Sequence, residues 1–278
     1  MLLVACVAMV FVSCSKDEDD TNVNPDGKRL VSKIYLERAL DGELEYYELN
    51  FQYDKNGIIE KIIEKGREVN GSYDEEWTYT YVFSRSGNKL TSKNDYTCTD
   101  HKKGKTETET YTTDYILNDK GYITQYEWTD EDNDERIIYN TLSYDDNGLL
   151  TKRTKKENEG ISVSEYTYEY SWSNGNLVSR RQSGSSYVTN YTYTNEENKA
   201  NIDLGAFWGE ADYDGSNYDY LELFGYIGKI NKNCLNKYSG SYNTYTYKYS
   251  FDTNGYVTKM EKYDRNNELL CTYTIEYK

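Results

Sequence analysis

The feature that most constrains this chain is an alternation of large rings with small or charged residues. It is plainest at residues 77–83, 166–172 and 245–251, where every second residue is Tyr, Trp or Phe. Successive side chains of a β-strand point to opposite faces, so the alternation predicts strands with one aromatic face and one mostly polar face. The only proline is Pro25, so no proline interrupts a strand ladder after it.

A recurring turn unit separates these strands. Its clearest copies are residues 51–59, 142–150 and 249–257, and each contains the pattern Asp-x-Asn-Gly. Glycine supplies the positive φ of such a turn, and the Asp and Asn side chains bond to the local backbone. Weaker copies centre on Gly87, Gly121 and Gly175. The unit predicts roughly one β-hairpin per 28 residues, and the long interval before Gly255 predicts two degenerate units plus an insertion.

These hairpins predict an all-β fold over residues 29–278, with about 12–14 strands in an antiparallel meander. A flat sheet of that size would leave one apolar face in water, so we expect it to curl into a barrel-like or half-barrel sheet. The rings are expected inside. The outer face of Thr, Lys and Glu is too polar for lipid, which predicts a water-soluble sheet.

Composition excludes several classes of protein. The net charge is −16, which disfavours nucleic acid as a partner because phosphate binding needs clustered Lys and Arg. The single histidine, His101, excludes multi-His metal sites and leaves little room for a His-based triad. No nucleotide-binding motif is present. The sequence predicts no metal and no cofactor.

The N-terminal sequence predicts that the protein is targeted to a membrane. Residues 1–13 are apolar but shorter than the ~20 residues of a membrane-spanning helix. They end at Ser13-Cys14, which resembles a bacterial lipobox, so residues 1–13 are predicted to be a lipoprotein signal peptide and Cys14 the lipidated residue. The alternatives are an ordinary cleaved signal or a buried N-terminal strand. Residues 14–28 are predicted to be an acidic, flexible tether.

The acidic run after Cys14 resembles the surface-export signal of Bacteroidetes lipoproteins. It implies an outer-membrane protein on the cell surface, with the periplasmic face as the alternative. The lipid anchor is then the only predicted membrane contact. The lipobox, the Tyr-Asp-x-Asn-Gly hairpins and the insertion together resemble a family of uncharacterised Bacteroidetes lipoproteins with a porin-like fold. The turn core also resembles the YD repeats of bacterial shell-forming toxins. The family resemblance implies an architecture and a location, and no activity.

The alternation lapses from about residue 198 to 238, the most aliphatic stretch after the signal peptide. We expect a short helical or loop insertion near residues 200–236. The favoured interpretation is a segment that plugs or caps the cavity of the sheet. The alternative is a ligand platform with Trp208 and Tyr213 exposed at the mouth.

No catalytic constellation stands out. Nothing selects a glycosidase pair from the 48 acidic residues, so the chain is predicted not to be an enzyme. The acidic stretches 130–135 and 212–216 fail the EF-hand pattern. Cys98, Cys234 and Cys271 are interpreted as structural thiols, with one joined pair as the alternative.

Stacking on aromatic rings is the remaining route to a function. Trp77 and Trp172 keep the phase of the Tyr ladder and are expected in the core. Trp128 lies at a strand end, so Trp128, Trp208 and Tyr213 are the predicted ligand-binding residues. The first hypothesis is a non-catalytic surface lipoprotein that binds or displays a glycan or protein partner. The alternatives are a glycan hydrolase with two carboxylates and a purely structural envelope component.

Overall fold

The computed structural model describes residues 29–40, 43–69, 71–130, 133–204, 220–241 and 243–278. They form sixteen strands and one turn of 3-10 helix, Leu221–Phe224. The strands are β1 Val31–Leu40, β2 Glu43–Tyr53, β3 Ile59–Val69, β4 Asp74–Ser86, β5 Lys89–Asp100, β6 Lys105–Leu117, β7 Ile123–Asp130, β8 Asn133–Tyr144, β9 Leu150–Glu159, β10 Ser162–Ser173, β11 Asn176–Gln182, β12 Val188–Glu197, β13 Asn233–Ser239, β14 Thr244–Phe251, β15 Val257–Tyr263 and β16 Leu269–Tyr277. No helix in this part of the chain is long and apolar enough to cross a membrane.

The sheet closes on itself. Each strand pairs antiparallel with the next one in the sequence, and β16 returns to pair with β1 through Ile34 and Ile275. The predicted all-β, barrel-like fold is confirmed. The strand count is sixteen rather than 12–14. Seven even-to-odd connections, six at a glycine of the recurring unit and one through the insertion between β12 and β13, join the fourteen strands β2–β15, and β1 and β16 complete the barrel.

The rings lie inside the barrel, as the alternation predicts. Tyr81, Tyr115 and Tyr126 are at most 5% exposed and belong to one hydrophobic core cluster. The residues between them in sequence face out: Thr112, Asp114 and the other even-numbered residues of β6 are exposed. Burial of one face and hydration of the other explains why the period of two extends through nearly every strand.

Local hydrogen bonds explain the turns. In the turn after β2, Asp54 Oδ1 accepts the backbone N–H groups of Asn56 and Ile58 at 2.8 Å each. Gly57 has a φ of 76°, which a residue with a Cβ adopts only under strain. The turns that begin at Asp145 and Asp252 repeat this geometry. Each of these three clearest units is therefore a hairpin connection whose shape is set by one Asp and one Gly.

Because the strands run up and down, their connections alternate between the two ends of the barrel. We call the end with the β2–β3, β4–β5 and later even-to-odd connections the base, and the opposite end the rim. The described chain begins and ends at the base, where the N–H of Lys278 bonds to the carbonyl of Leu30.

The insertion between β12 and β13 enters the base. Its described residues Ile202, Leu204, Leu221 and Leu223 are at most 3% exposed. The Phe224 ring meets the Phe51 ring edge-on at 5.5 Å between centroids. This arrangement agrees with the interpretation of the segment as a plug. Trp208 and Tyr213, which the alternative interpretation invoked, lie outside the described residues, as does Cys14.

The three later cysteines do not join the strands covalently. Cys98, Cys234 and Cys271 form no disulfide in the described part of the chain, and the last two are buried. This agrees with the interpretation of structural thiols and contradicts the alternative of a joined pair. Noncovalent packing and the backbone ladder therefore hold this part of the barrel together.

Candidate functional site

The predicted ligand-binding residue Trp128 lies at a discontinuity in the barrel wall. β6 and β7 share three Cα pairs, of which Tyr115–Tyr126 is nearest the rim, whereas β5 and β6 share twelve. Beyond Tyr115 and Tyr126 the two strands separate around a cavity of about 440 Å³. We call this cavity the slot. It is lined by Tyr111, Thr112, Thr113, Asp114, Glu127, Trp128 and Thr129.

The rings and the carboxylates of the slot belong to opposite faces of the wall. Tyr111 pairs with the fully buried Asn94, and Trp128 pairs with the buried Ile138, so both rings are on the inner face and half-buried. Asp114 and Glu127 are on the outer face and exposed. The slot therefore has an aromatic inner side and an acidic outer mouth.

The sequence offers a reason for the gap. Continuing the register from the Tyr115–Tyr126 pair would place Asp114 directly opposite Glu127. Like charges at directly opposed positions destabilise an antiparallel pair. Zipping β6 to β7 would bring two carboxylates together, so the charge pattern opposes closure of the wall at this point.

Backbone groups also face the slot. In an antiparallel sheet the N–H and C=O of one residue point to the same neighbour, and successive residues alternate. The N–H of Leu117 bonds to Asn88 on the β5 side, so the backbones of Thr112 and Asp114 point toward β7. By the same alternation, the backbones of Glu127 and Thr129 point toward β6. The slot thus presents hydrogen-bonding edges on both sides.

Asp114 is held as an ionised acceptor. Lys89 Nζ lies 2.6 Å from its Oδ2, and Thr91 Oγ1 donates to its Oδ1 at 2.7 Å. Partial burial raises the pKa of Asp114, but the bonds from Lys89 and Thr91 outweigh it, and the net pKa lies below the usual value. The side chain is 47% exposed, so water reaches it. This carboxylate is suited to accept hydrogen bonds and unsuited to deliver a proton.

A polar cluster on the inner wall adjoins Trp128, and the sequence reasoning missed it. Arg153 is fully buried and donates to Asn140 Oδ1 from Nε at 3.0 Å and from a terminal nitrogen at 2.9 Å. Glu157, four residues further along β9, forms ion pairs with Lys155 at 2.8 Å and with Arg136 at 3.1 Å. The available signal was the period of two, which places Arg153, Lys155 and Glu157 on one face of β9.

A second buried carboxyl holds the plug. Glu64 is 7% exposed and accepts the hydroxyl of Tyr220 at 2.7 Å, which joins β3 to the insertion. Burial raises the pKa of Glu64, and the hydrogen bonds from Tyr220, Trp77 and Tyr81 offset this in part. A separate cavity of about 70 Å³ lies between the plug and strands β9–β13, with room for a few water molecules.

The remaining features of the described residues add no cofactor chemistry. Within them, no group of three or more His, Cys, Asp or Glu side chains is arranged to hold a metal ion. Trp77 and Trp172 are half-buried on the inner face, where the Trp172 indole donates to the carbonyl of Leu150 at 2.7 Å. Of the predicted ligand-binding residues, Trp128 alone lies in the described part of the chain, and it lines the slot.

The closed sheet and the plug at its base together define a sixteen-stranded, porin-like barrel. A solved structure with this architecture is a porin-like protein from Bacteroides uniformis, with a TM-score of 0.65 and 20% sequence identity over 90% of this chain and 99% of that one. A porin-like protein from Bacteroides vulgatus aligns over the same shares at 13% identity and a TM-score of 0.36. No protein-family model matches the chain. No curated protein matches it either.

The likeness to the Bacteroides uniformis structure confirms the porin-like architecture that the sequence resemblance implied. At 20% identity it establishes the fold alone. The lipid anchor, the surface location and the kinship with YD repeats remain predictions.

Proposed function

We propose that this protein is a non-catalytic, lipid-anchored binding module of the outer-membrane surface, and that the slot between β6 and β7 binds a glycan. The observation that carries the proposal is the slot itself. It joins two inner-face rings, Tyr111 and Trp128, to two exposed carboxylates, Asp114 and Glu127, around one cavity. Its 440 Å³ falls within the range of small-ligand sites.

The chemistry of the slot suits a sugar. A sugar ring has flat C–H faces that pack on aromatic rings, and it carries hydroxyl donors around its edge. Carboxylates are strong acceptors for such hydroxyls because charge-assisted hydrogen bonds are stronger than neutral ones. The backbone edges of β6 and β7 supply further donors and acceptors.

The polar outer face supports a wall in contact with water. A transmembrane barrel needs an outward apolar band about 25 Å tall. On β6 the outward residues Thr106, Thr108, Thr110 and Thr112 are all exposed hydroxyl side chains. Membrane attachment is then assigned to the lipid on Cys14, and the slot is accessible from the surrounding water. A periplasmic orientation of the same anchor is the alternative location.

A glycan hydrolase is the second candidate, because the register places two carboxylates across one cavity. Glycoside hydrolysis needs one carboxyl that stays protonated, usually through burial in apolar surroundings. Asp114 has a lowered pKa, and both Asp114 and Glu127 are exposed. The slot therefore favours binding over hydrolysis.

A glycan array with the detergent-extracted full chain tests the proposal. Trp128→Ala should weaken binding by about fivefold or more, if a sugar packed on the ring contributes as much as a stacked nucleobase, on the order of 1–3 kcal/mol. Tyr187→Ala is the matched control, because Tyr187 is a 57% exposed ring at the rim, away from the slot. Trp208→Ala and Tyr213→Ala test the other two predicted ligand-binding residues.

The outcomes separate the hypotheses. Binding that is lost in Trp128→Ala and kept in Tyr187→Ala supports the slot. Release of shorter sugars from a bound glycan would establish the hydrolase. If no glycan binds, the proposal is overturned, and a protein partner or a structural role in the envelope takes its place.

A further inference from the structure

We infer that the slot selects neutral glycans and excludes those that carry carboxylate or sulfate groups. The inference rests on the proposed glycan function and adds the chemical class of the ligand. Its basis is the distribution of charge around the slot, which is acidic at the mouth and compensated further in.

The lining of the slot contains two carboxylates and no cationic side chain among the described residues. The Lys89 ammonium lies 2.6 Å from Asp114 and offsets part of that charge. The exposed Glu127 across the opening leaves the mouth with a net negative charge. An anionic group that approaches the rings from outside would meet charges of its own sign. Such like-charge contacts strongly oppose binding.

The cations of the inner wall do not offset the negative charge at the mouth of the slot. Arg136 and Lys155 are the ones nearest Trp128 by register, and both form ion pairs with Glu157. Partial burial raises the pKa of Glu157, but the bonds from Lys155 and Arg136 outweigh it and lower the net pKa. Glu157 is therefore ionised and neutralises part of their charge. Lys155 is also 4% exposed, so a ligand in the slot does not reach it.

The long-range field acts in the same direction. The chain has a net charge of −16, and such a charge repels polyanions before any contact forms. Salt screens this repulsion over about 10 Å at 0.1 M ionic strength. A neutral sugar experiences neither penalty, and its hydroxyls donate to Asp114 and Glu127 while its C–H faces pack on Tyr111 and Trp128.

The test uses polymers that differ only in charge. Soluble starch, mannan and cellulose oligomers are each compared with the same material after oxidation of the C6 alcohol to a carboxylate. With the full-length protein in detergent at low salt, we expect each neutral form that binds to bind at least about tenfold tighter than its oxidised form. At 1 M salt the preference should shrink to a few-fold.

Two variants assign the selectivity to named residues. Glu127→Gln and Asp114→Asn each remove one charge at nearly constant shape. Each should reduce the ratio of the affinity for the neutral polymer to that for the oxidised polymer by about threefold or more. Asn retains an acceptor for the Thr91 hydroxyl, and Glu127→Gln removes none of the contacts that hold Asp114. Circular dichroism checks that both variants keep the barrel.

The outcomes distinguish this inference from the function on which it rests. If oxidised polymers bind as well as neutral ones and Trp128→Ala abolishes both, the selectivity is wrong and the glycan function stands. If neither form of any polymer binds, the glycan function is wrong. A preference that survives both charge variants unchanged also overturns the assignment to Asp114 and Glu127.

Discussion

At the residue scale, a recurring hydrogen bond accounts for the use of tyrosine where phenylalanine would give the same ring. Near the base, the inner-face ring of an even-numbered strand donates to a backbone carbonyl of the strand before it. The bonds from Tyr53 to Val31, Tyr249 to Leu235 and Tyr277 to Val257 span 2.7–2.9 Å. Burying a ring together with a satisfied hydroxyl adds a specific interstrand contact to the packing.

The contact between Gly66 and Trp77 gives a prediction at the same scale. The two residues are a cross-strand pair, and a Cβ on Gly66 would overlap Cζ2 of the Trp77 indole. Gly66→Ala must therefore displace a half-buried ring that also bonds to Glu64. We expect a loss of about 1–3 kcal/mol in the free energy of unfolding, measured by urea denaturation, together with a shifted tryptophan emission.

Gly71→Ala is the control for this substitution. Gly71 is exposed, and a Cβ there meets no atom within 4 Å. Its unfolding free energy should stay within about 0.5 kcal/mol of the wild type. Equal stability of Gly66→Ala and Gly71→Ala would show that the indole does not rest against Gly66.

At the element scale, the plug is attached to the wall by a carboxyl that burial keeps easy to protonate. Glu64 of β3 accepts from Tyr220 of the insertion, and its pKa is raised. An acid whose pKa is higher in the folded state favours folding while it is protonated. That contribution is complete below the pKa of the unfolded chain and is lost as the pH rises through the folded pKa.

Glu64→Gln isolates this effect. Glutamine still accepts a hydrogen bond from the Tyr220 hydroxyl but cannot ionise. The unfolding free energy of the variant should therefore lack the pH dependence that Glu64 confers. Measured by urea unfolding from pH 4 to pH 8, the stability of the wild type relative to Glu64→Gln should fall as the pH rises. Glu64→Ala, which removes the acceptor, should be less stable by about 1–3 kcal/mol across the range. Parallel pH profiles for wild type and Glu64→Gln would contradict the role of burial.

The same scale shows how far sequence patterns predict this molecule. Alternation and Asp-x-Asn-Gly predict strand phase and most hairpins at the base, because both are local. The pattern did not predict the turn after β15, at the rim. There Asn267, with a φ of 63°, replaces the glycine, although Asp264 bonds to the backbone as in the other turns. The sequence did not predict the slot either, because the gap depends on Asp114 and Glu127 meeting across strands. The register between two strands cannot be read from one sequence. Trp128 was predicted because it lies at a strand end before the acidic stretch 130–135.

At the scale of the whole molecule, the ends of the described chain set the expected orientation. Both emerge at the plugged base, and residue 29 is separated from Cys14 by fourteen residues. A segment of that length spans at most about 50 Å. If Cys14 carries lipid, the segment from it joins the barrel at the base. The slot, which opens from the Tyr115–Tyr126 pair toward the rim, is then on the part of the wall farther from that attachment point.

The anchor is tested by Cys14→Ala in intact cells, with Cys98→Ala as the control for loss of a thiol. Each buried CH₂ of an acyl chain contributes about 0.8 kcal/mol to membrane binding, so loss of the lipid should move the protein from the membrane to the soluble fraction. Cys98→Ala should stay with the membrane, since Cys98 is a free thiol within the barrel. Protease added to intact cells should digest the wild type if the barrel is on the surface and spare it if the barrel is periplasmic. Membrane retention of Cys14→Ala would contradict the lipid anchor and leave attachment to the barrel itself.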